Sequence, residues 1–131
     1  MKKILFIEDD PVARTVYQRF LQSHGFAVEV ATDGEQGLAK LTTVQPDAVV
    51  LDVMMPKLNG ITVLQVMRVQ EAFRSVPVIV LTNAAVPAFI EQARAAGADH
   101  VFDKSKDSPV AVVAVLQRLL DSAQEPEQAA G

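Results

Sequence analysis

Short apolar runs alternate with amphipathic stretches along this chain, regularly enough to assign elements. Lys3 to Ile7 is apolar after its lysine and ends on Glu8-Asp9-Asp10, and a run with no polar alternation predicts a strand covered on both faces. Pro11 fits the first turn of a helix reaching His24, and Gly25 fits its left-handed stop. Phe26 to Ala31 predicts a second strand. Asp33 then caps a helix from Gly34 to Val44, which Pro46 keeps from continuing. The third apolar run, Ala48-Val49-Val50-Leu51, stops on Asp52. Asn59 caps a helix with Ile61, Leu64 and Met67 at helical spacing, and Val76-Pro77 leads into a fourth strand, Val78 to Leu81, ending on Thr82. Val86 to Ala96 predicts a fourth helix, stopped by Gly97, and Asp99 to Phe102 a fifth strand running into Asp103-Lys104. Ser108-Pro109 opens a last helix to Asp121. The polar, Pro-interrupted remainder, 122–131, reads as a disordered tail or the start of a linker.

Strands that are each followed by a helix imply a parallel sheet with right-handed crossovers. The chain is too short for a barrel, which leaves an α/β fold: a three-layer doubly wound five-stranded sheet in the order 2-1-3-4-5, the flavodoxin-like arrangement. Its switch-point crevice lies at the carboxyl ends of strands 1 and 3. The residues delivered there are Glu8, Asp9 and Asp10, then Asp52, Thr82-Asn83 and Lys104. An interior strand cannot carry an acid, so Asp52 belongs where the third strand emerges.

Composition narrows the chemistry. Half of the 131 residues are apolar and the net charge is -4, which fits a globular domain with a real core and no basic stripe for direct nucleic-acid contact. The absence of cysteine excludes disulfides, thiolate metal sites and a thiol nucleophile. No segment approaches the roughly 20 apolar residues of a membrane span. The apolar run after Met1-Lys2-Lys3 is too short for a signal peptide, so the expected compartment is the cytoplasm.

Carboxylates crowded at one sheet edge repel one another until a cation neutralises them, and hard oxygen donors suit Mg2+. Such a site is incomplete without phosphate oxygens. Asp52 is placed to attack a phosphoryl group, with the Lys104 ammonium and the Thr82 hydroxyl on its oxygens. The runs ILFIEDD, VVLDVMMPKLNG, PVIVLTN and AGADHVFDK in combination resemble the receiver domain of two-component response regulators, over residues 2 to 121. That resemblance implies a receiver (βα)5 domain over 1–121, with Asp52 as phosphoacceptor and Asp9 as a direct Mg2+ ligand. It also implies Glu8 acting through a water, the Met54 backbone carbonyl as a further ligand, and Thr82, Asn83 and Lys104 at the phosphoryl group. The implied donor is a sensor histidine kinase or histidine phosphotransfer protein. The domain is then a switch with self-assisted phosphotransfer and autodephosphorylation rather than an enzyme.

Two positions depart from the family pattern. Ser105 stands where relatives carry a proline after the lysine, so a trans bond is expected there. Val101 stands where relatives place an aromatic switch residue, and Phe102, one residue on, faces the other way. On the last helix Val112, Leu116 and Leu119 share one face, Val113 and Leu120 extend one edge, and Ala111 and Val115 the other. With Val101 they are expected to form an apolar output face on the fourth helix, fifth strand and last helix, through which phosphorylation promotes homodimerisation or docking of a downstream protein. The alternatives are a phosphorylation-independent pseudo-receiver, a dehalogenase-type phosphohydrolase, which needs a second acid where Met54 stands, and a nucleotide module, which needs a Gly-rich loop after the first strand.

Overall fold

A computed structural model describes residues 1–53, 58–82 and 87–124, with side chains to 121. The strands are β1 (Lys3–Ile7), β2 (Ala27–Ala31), β3 (Ala48–Asp52), β4 (Val78–Thr82) and β5 (His100–Asp103). They form one parallel sheet in the order β2-β1-β3-β4-β5. The helices are α1 (Pro11–Ser23), α2 (Gly34–Val44), α3 (Gly60–Val69), α4 (Pro87–Ala95) and α5 (Pro109–Gln124), with a single 3-10 turn over Glu71–Phe73.

Strand alternation divides the core into two layers. Ile4, Phe6, Val50, Ile79, Leu81 and Phe102 meet α1 and α5 on one face of the sheet. Leu5, Ile7, Val49, Leu51, Val78 and Val80 meet α2, α3 and Ala93 of α4 on the other. Every residue of β3 and β4 is buried, as their unbroken apolar runs require.

Two caps are those expected, at Asp33 and Asn59, and Asp10 adds a third. Asp10 accepts from the Val12 and Ala13 amides, Asp33 from Gln36 and Asn59 from Thr62, each satisfying a first-turn donor. Gly25 turns the chain at φ 89°, whereas α2 stops on Gln45 in the left-handed region, one residue before the proline expected to end it. Several boundaries differ from expectation; α4 ends at Ala95 rather than Ala96, and β5 runs one residue further, to Asp103. α1 ends at Ser23, one residue before His24, which is its C-cap. The Phe26 amide donates to Leu21 O, closing α1 instead of opening β2. β5 begins at His100 because the Asp99 carboxylate takes the Val78 amide and ends the ladder. α5 continues to Gln124, since Ser122, Ala123 and Gln124 tolerate a helix and Pro126 disfavours helical geometry only at the residue before it.

The register aligns the strand ends that matter. Ile7 pairs with Leu51, Asp52 with Leu81 and Thr82 with Asp103, so the carboxyl ends of β1, β3, β4 and β5 stand in a row.

Candidate functional site

Glu8 follows β1 and stays in the ladder, its amide donating to Ala31 O at 3.0 Å. Its side chain is fully buried, and Asp52, closing β3, is 3% exposed. Asp9 turns outward and is the most open of the three. One carboxylate oxygen from each of Glu8, Asp9 and Asp52 falls within 4.8 Å of the others. Asp10 leaves this group: it is exposed and serves as the α1 cap, its amide donating to Glu8 Oε2 at 3.3 Å.

Lys104 crosses to the cluster from the loop after β5. Its ammonium donates to Glu8 Oε1 in a short ion pair and lies 3.6 Å from Asp52 Oδ2. Burial alone would lower the Lys104 pKa, but Glu8 and Asp52 together raise it, so the ammonium stays charged. Burial pushes the Glu8 carboxyl up, with Asp52 adding to the shift and Lys104 opposing it. Asp9 is also raised, by burial first and then by Glu8. Thr82, 1% exposed, closes β4. Its carbonyl accepts the Lys104 amide at 2.8 Å, which ties the β4 and β5 ends together.

Two supports were given no role from the sequence, although Gly60 closes the run VVLDVMMPKLNG. The Arg14 guanidinium donates to Glu8 O at 2.9 Å and Asp9 O at 3.3 Å, fixing the backbone that carries both acids. Gly60 lies against the end of β3: a Cβ there would fall 2.2 Å from Asp52 O, so only glycine lets the α3 entry approach. Its amide donates to Val53 O at 3.0 Å.

The structure therefore brings Glu8, Asp9, Asp52, Thr82 and Lys104 to one crevice. Met54 and Asn83 lie outside the described residues. The Lys104–Ser105 bond is trans. The apolar output face takes a different form from the one expected. Val115 is 9% exposed and packs in the α1–α5 layer, with Ala111 against the same layer. Val101 is half-buried in the opposite layer. Val115 thus belongs to the core layer rather than to a free edge of the α5 stripe, with Ala111 partly buried beside that layer.

These acids can accept a cation, and Asp52 can act as a nucleophile beside a fixed ammonium. Fold and crevice together define a doubly wound α/β domain whose switch point is an acidic, ammonium-bridged site. The chain matches the response regulator receiver domain over residues 4–116 and belongs to that family, the signalling module of two-component systems. It is 38% identical over 117 residues to the response regulator MprA of Mycolicibacterium vanbaalenii, covering 89% of this chain and 48% of that protein. Chemotaxis protein CheY4 of Vibrio cholerae has a similar structure, with a TM-score of 0.84 at 30% identity, covering 91% of this chain and 98% of that one. So does the receiver domain of sensor histidine kinase PA1611 from Pseudomonas aeruginosa, at 0.84 and 32%, covering 92% and 98%, with a magnesium ion coordinated in its active site cleft. The chain spans a third to a half of the length of the curated relatives it matches. Among the described residues no helix is long and apolar enough to cross a membrane.

Proposed function

We propose that Asp52 is the phosphoacceptor of this receiver and that Glu8, Asp9 and Asp52 hold Mg2+. The observation that carries the reading is the cluster itself: three carboxylate oxygens within 4.8 Å, with the Lys104 ammonium 3.6 Å from Asp52. With the acids ionised, three negative charges face one positive, leaving two for a divalent cation. Around Mg2+ at about 2.1 Å, ligand oxygens stand roughly 3 to 4 Å apart, a spacing this cluster reaches with small side-chain adjustments. When bound, the ion neutralises the acids and the incoming phosphoryl oxygens. Since Lys104 holds one Glu8 oxygen, Glu8 suits contact through water, and Asp9, the most open acid, suits direct ligation. The Met54 carbonyl completes the set by resemblance.

An Asp52 oxygen attacks phosphorus of a phosphohistidine on a sensor kinase or histidine phosphotransfer protein. The O–P bond forms as the N–P bond breaks, and the released imidazole takes a proton. Lys104 stabilises the equatorial oxygens, with the Thr82 hydroxyl and, by resemblance, Asn83 beside them. Return by hydrolysis, assisted by the same groups, makes the domain a switch. The signal leaves through α4, β5 and α5 to a downstream protein or a second copy, with Val101 and Ala111 responding and Val115 transmitting from the core. The net charge of -4 supports a domain without direct nucleic-acid contact. Against a phosphorylation-independent pseudo-receiver stands the presence of acids, hydroxyl and ammonium in one crevice.

Incubation with acetyl phosphate and Mg2+, read by intact mass, tests the reading. The chain gains one phosphoryl group and Asp52→Asn gains none; the same gain in the variant refutes the assignment.

A further inference from the structure

Lys104 reaches Glu8 and Asp52 from a loop that lacks the proline relatives carry after this lysine. Something else must aim it. A lysine side chain has enough rotamers that an unfixed backbone would spread its ammonium over many positions, so direction has to come from the segment on either side. On the strand side, the Lys104 amide donates to Thr82 O at 2.8 Å. On the far side the chain folds back upon Asp103. Asp103 Oδ1 accepts from the Ser105 amide at 2.8 Å and from the Ser105 hydroxyl at 2.6 Å. The Asp103 carbonyl accepts from the Lys106 and Asp107 amides at 3.0 and 2.7 Å, and the Asp103 amide donates to Asp107 Oδ2 at 2.9 Å. The backbone thus bends tightly around Lys104, with its flanking residues joined to each other.

We propose that Ser105 is a positioning residue for Lys104. By gripping the Asp103 carboxylate with both hydroxyl and amide, it closes the turn that aims the ammonium at the acidic cluster. Asp103 as a residue is 9% exposed, and as a carboxylate it accepts stronger bonds than a neutral oxygen would. Ser105 donates both an N–H and an O–H, whereas proline has neither, so the grip is one that a proline could not make. This inference rests on the reading of Lys104 as the group that stabilises the transferred phosphoryl.

The test uses the whole chain with Ser105→Ala, Ser105→Thr, Asp103→Asn and Lys104→Ala. Rates of phosphorylation by acetyl phosphate are measured at saturating Mg2+, alongside Mg2+ affinity and thermal stability. Ser105→Ala should slow phosphorylation by about tenfold, the lower end of what is expected when one hydroxyl-to-carboxylate bond is lost. Mg2+ affinity should hold or rise, because the proposed ligands stay in place while a cation beside them is displaced. Ser105→Thr, which keeps the hydroxyl, and Asp103→Asn, which keeps the accepting oxygen, should both restore a rate near wild type. A merely structural role would lower stability and metal affinity together and would not sort the variants by hydroxyl. A wild-type rate in Ser105→Ala while Lys104→Ala is slow, or a Thr variant as slow as the Ala variant, overturns the inference. A crystal structure of Ser105→Ala gives a reading that does not pass through phosphate: an ammonium unmoved from Glu8 and Asp52 also overturns it. Failure of the wild type to take any phosphoryl group counts instead against Asp52 as acceptor, and the crystal structure still decides the role of Ser105.

Discussion

Arg68 is the residue whose loss should cost the fold most outside the apolar core. It closes the amino-terminal edge of the sheet, opposite the acidic crevice. Its guanidinium makes six contacts of 2.8 to 3.2 Å: twice to Gly97 O, once each to the Phe73, Arg74 and Val76 carbonyls, and once to Asp99 Oδ2. Five planar donors in a fork can serve several loops at once, which an ammonium cannot. The side chain is 18% exposed and its bonds to Gly97, Phe73 and Val76 are partly buried, whereas the bond to Arg74 O is exposed, and Asp99 at 39% is open so its ion pair adds little. Hydrogen bonds to a charged group contribute about 1.5 to 3 kcal/mol each, but several here share one guanidinium and water replaces some after truncation. Arg68→Ala should therefore cost about 3 to 4 kcal/mol, and Arg68→Lys about 2, since three donors still reach part of the set. Urea unfolding should show the midpoint falling with an unchanged slope, and the Ala variant should melt about 10 °C lower. Below the unfolding temperature, phosphorylation by acetyl phosphate should match wild type because the clamp is remote from Asp52. A loss under about 1 kcal/mol for Arg68→Ala would show that the contacts do not hold the edge together, and Lys equal to Arg would refute the argument from fork geometry.

The remaining predictions concern charge. Asp9→Ala should weaken Mg2+ binding while metal-free thermal stability rises or holds, because one member of a like-charged group is removed; a marked drop in melting temperature would show that Asp9 is structural. Burial, then Arg118, hold the His100 pKa below its usual 6.5, with Arg94 adding and Asp107 opposing. The unfolded chain thus takes up the proton first, so His100's contribution to stability is complete above pH 6.5 and is lost as pH falls below it. Denaturation of wild type and His100→Gln on either side of that pH measures this: the difference between them should shift towards the variant in acid, and a constant difference contradicts it.

What the sequence revealed follows from which interactions are local. β3 and β4 were legible because burial on both faces leaves no polar position in the run, and the caps at Asp33 and Asn59 because each bonds within three residues; Asp10, expected at the crevice, caps α1 instead. The edges of β2 and β5 were displaced by contacts a pattern cannot carry: Phe26 closing α1, and Asp99 taking the Val78 amide across 21 residues. The same holds for Arg14 and Arg68, whose partners are backbone carbonyls with no residue-type signature. Val115 was misplaced because a helical wheel gives an angle on α5 but not the neighbour that covers it. In the crevice, Glu8, Asp9, Asp52, Thr82 and Lys104 were legible because strand ends in this topology converge on the switch point. That Lys104 pairs with Glu8 was not, since the two lie 96 residues apart and nothing in the pattern ranks one acid over another.

That pairing has a physical reason and a consequence for the proposed chemistry. Glu8 is the fully buried acid, and a buried carboxylate without a partner costs several kcal/mol, so without metal the ammonium is best used there. Asp52, 3% exposed at the strand end, feels the same ammonium at 3.6 Å, beyond ordinary hydrogen-bond length yet close enough for strong attraction at reduced dielectric. A direct bond from Lys104 to Asp52 would hold the charge where the carboxylate is, not where the phosphoryl oxygens will be. Held on Glu8, the ammonium stands beside Asp52, 3.6 Å from its Oδ2. Charge developing on the phosphoryl oxygens would then meet a cation already in place, and the cost of burying that cation has been met by folding rather than by the reaction.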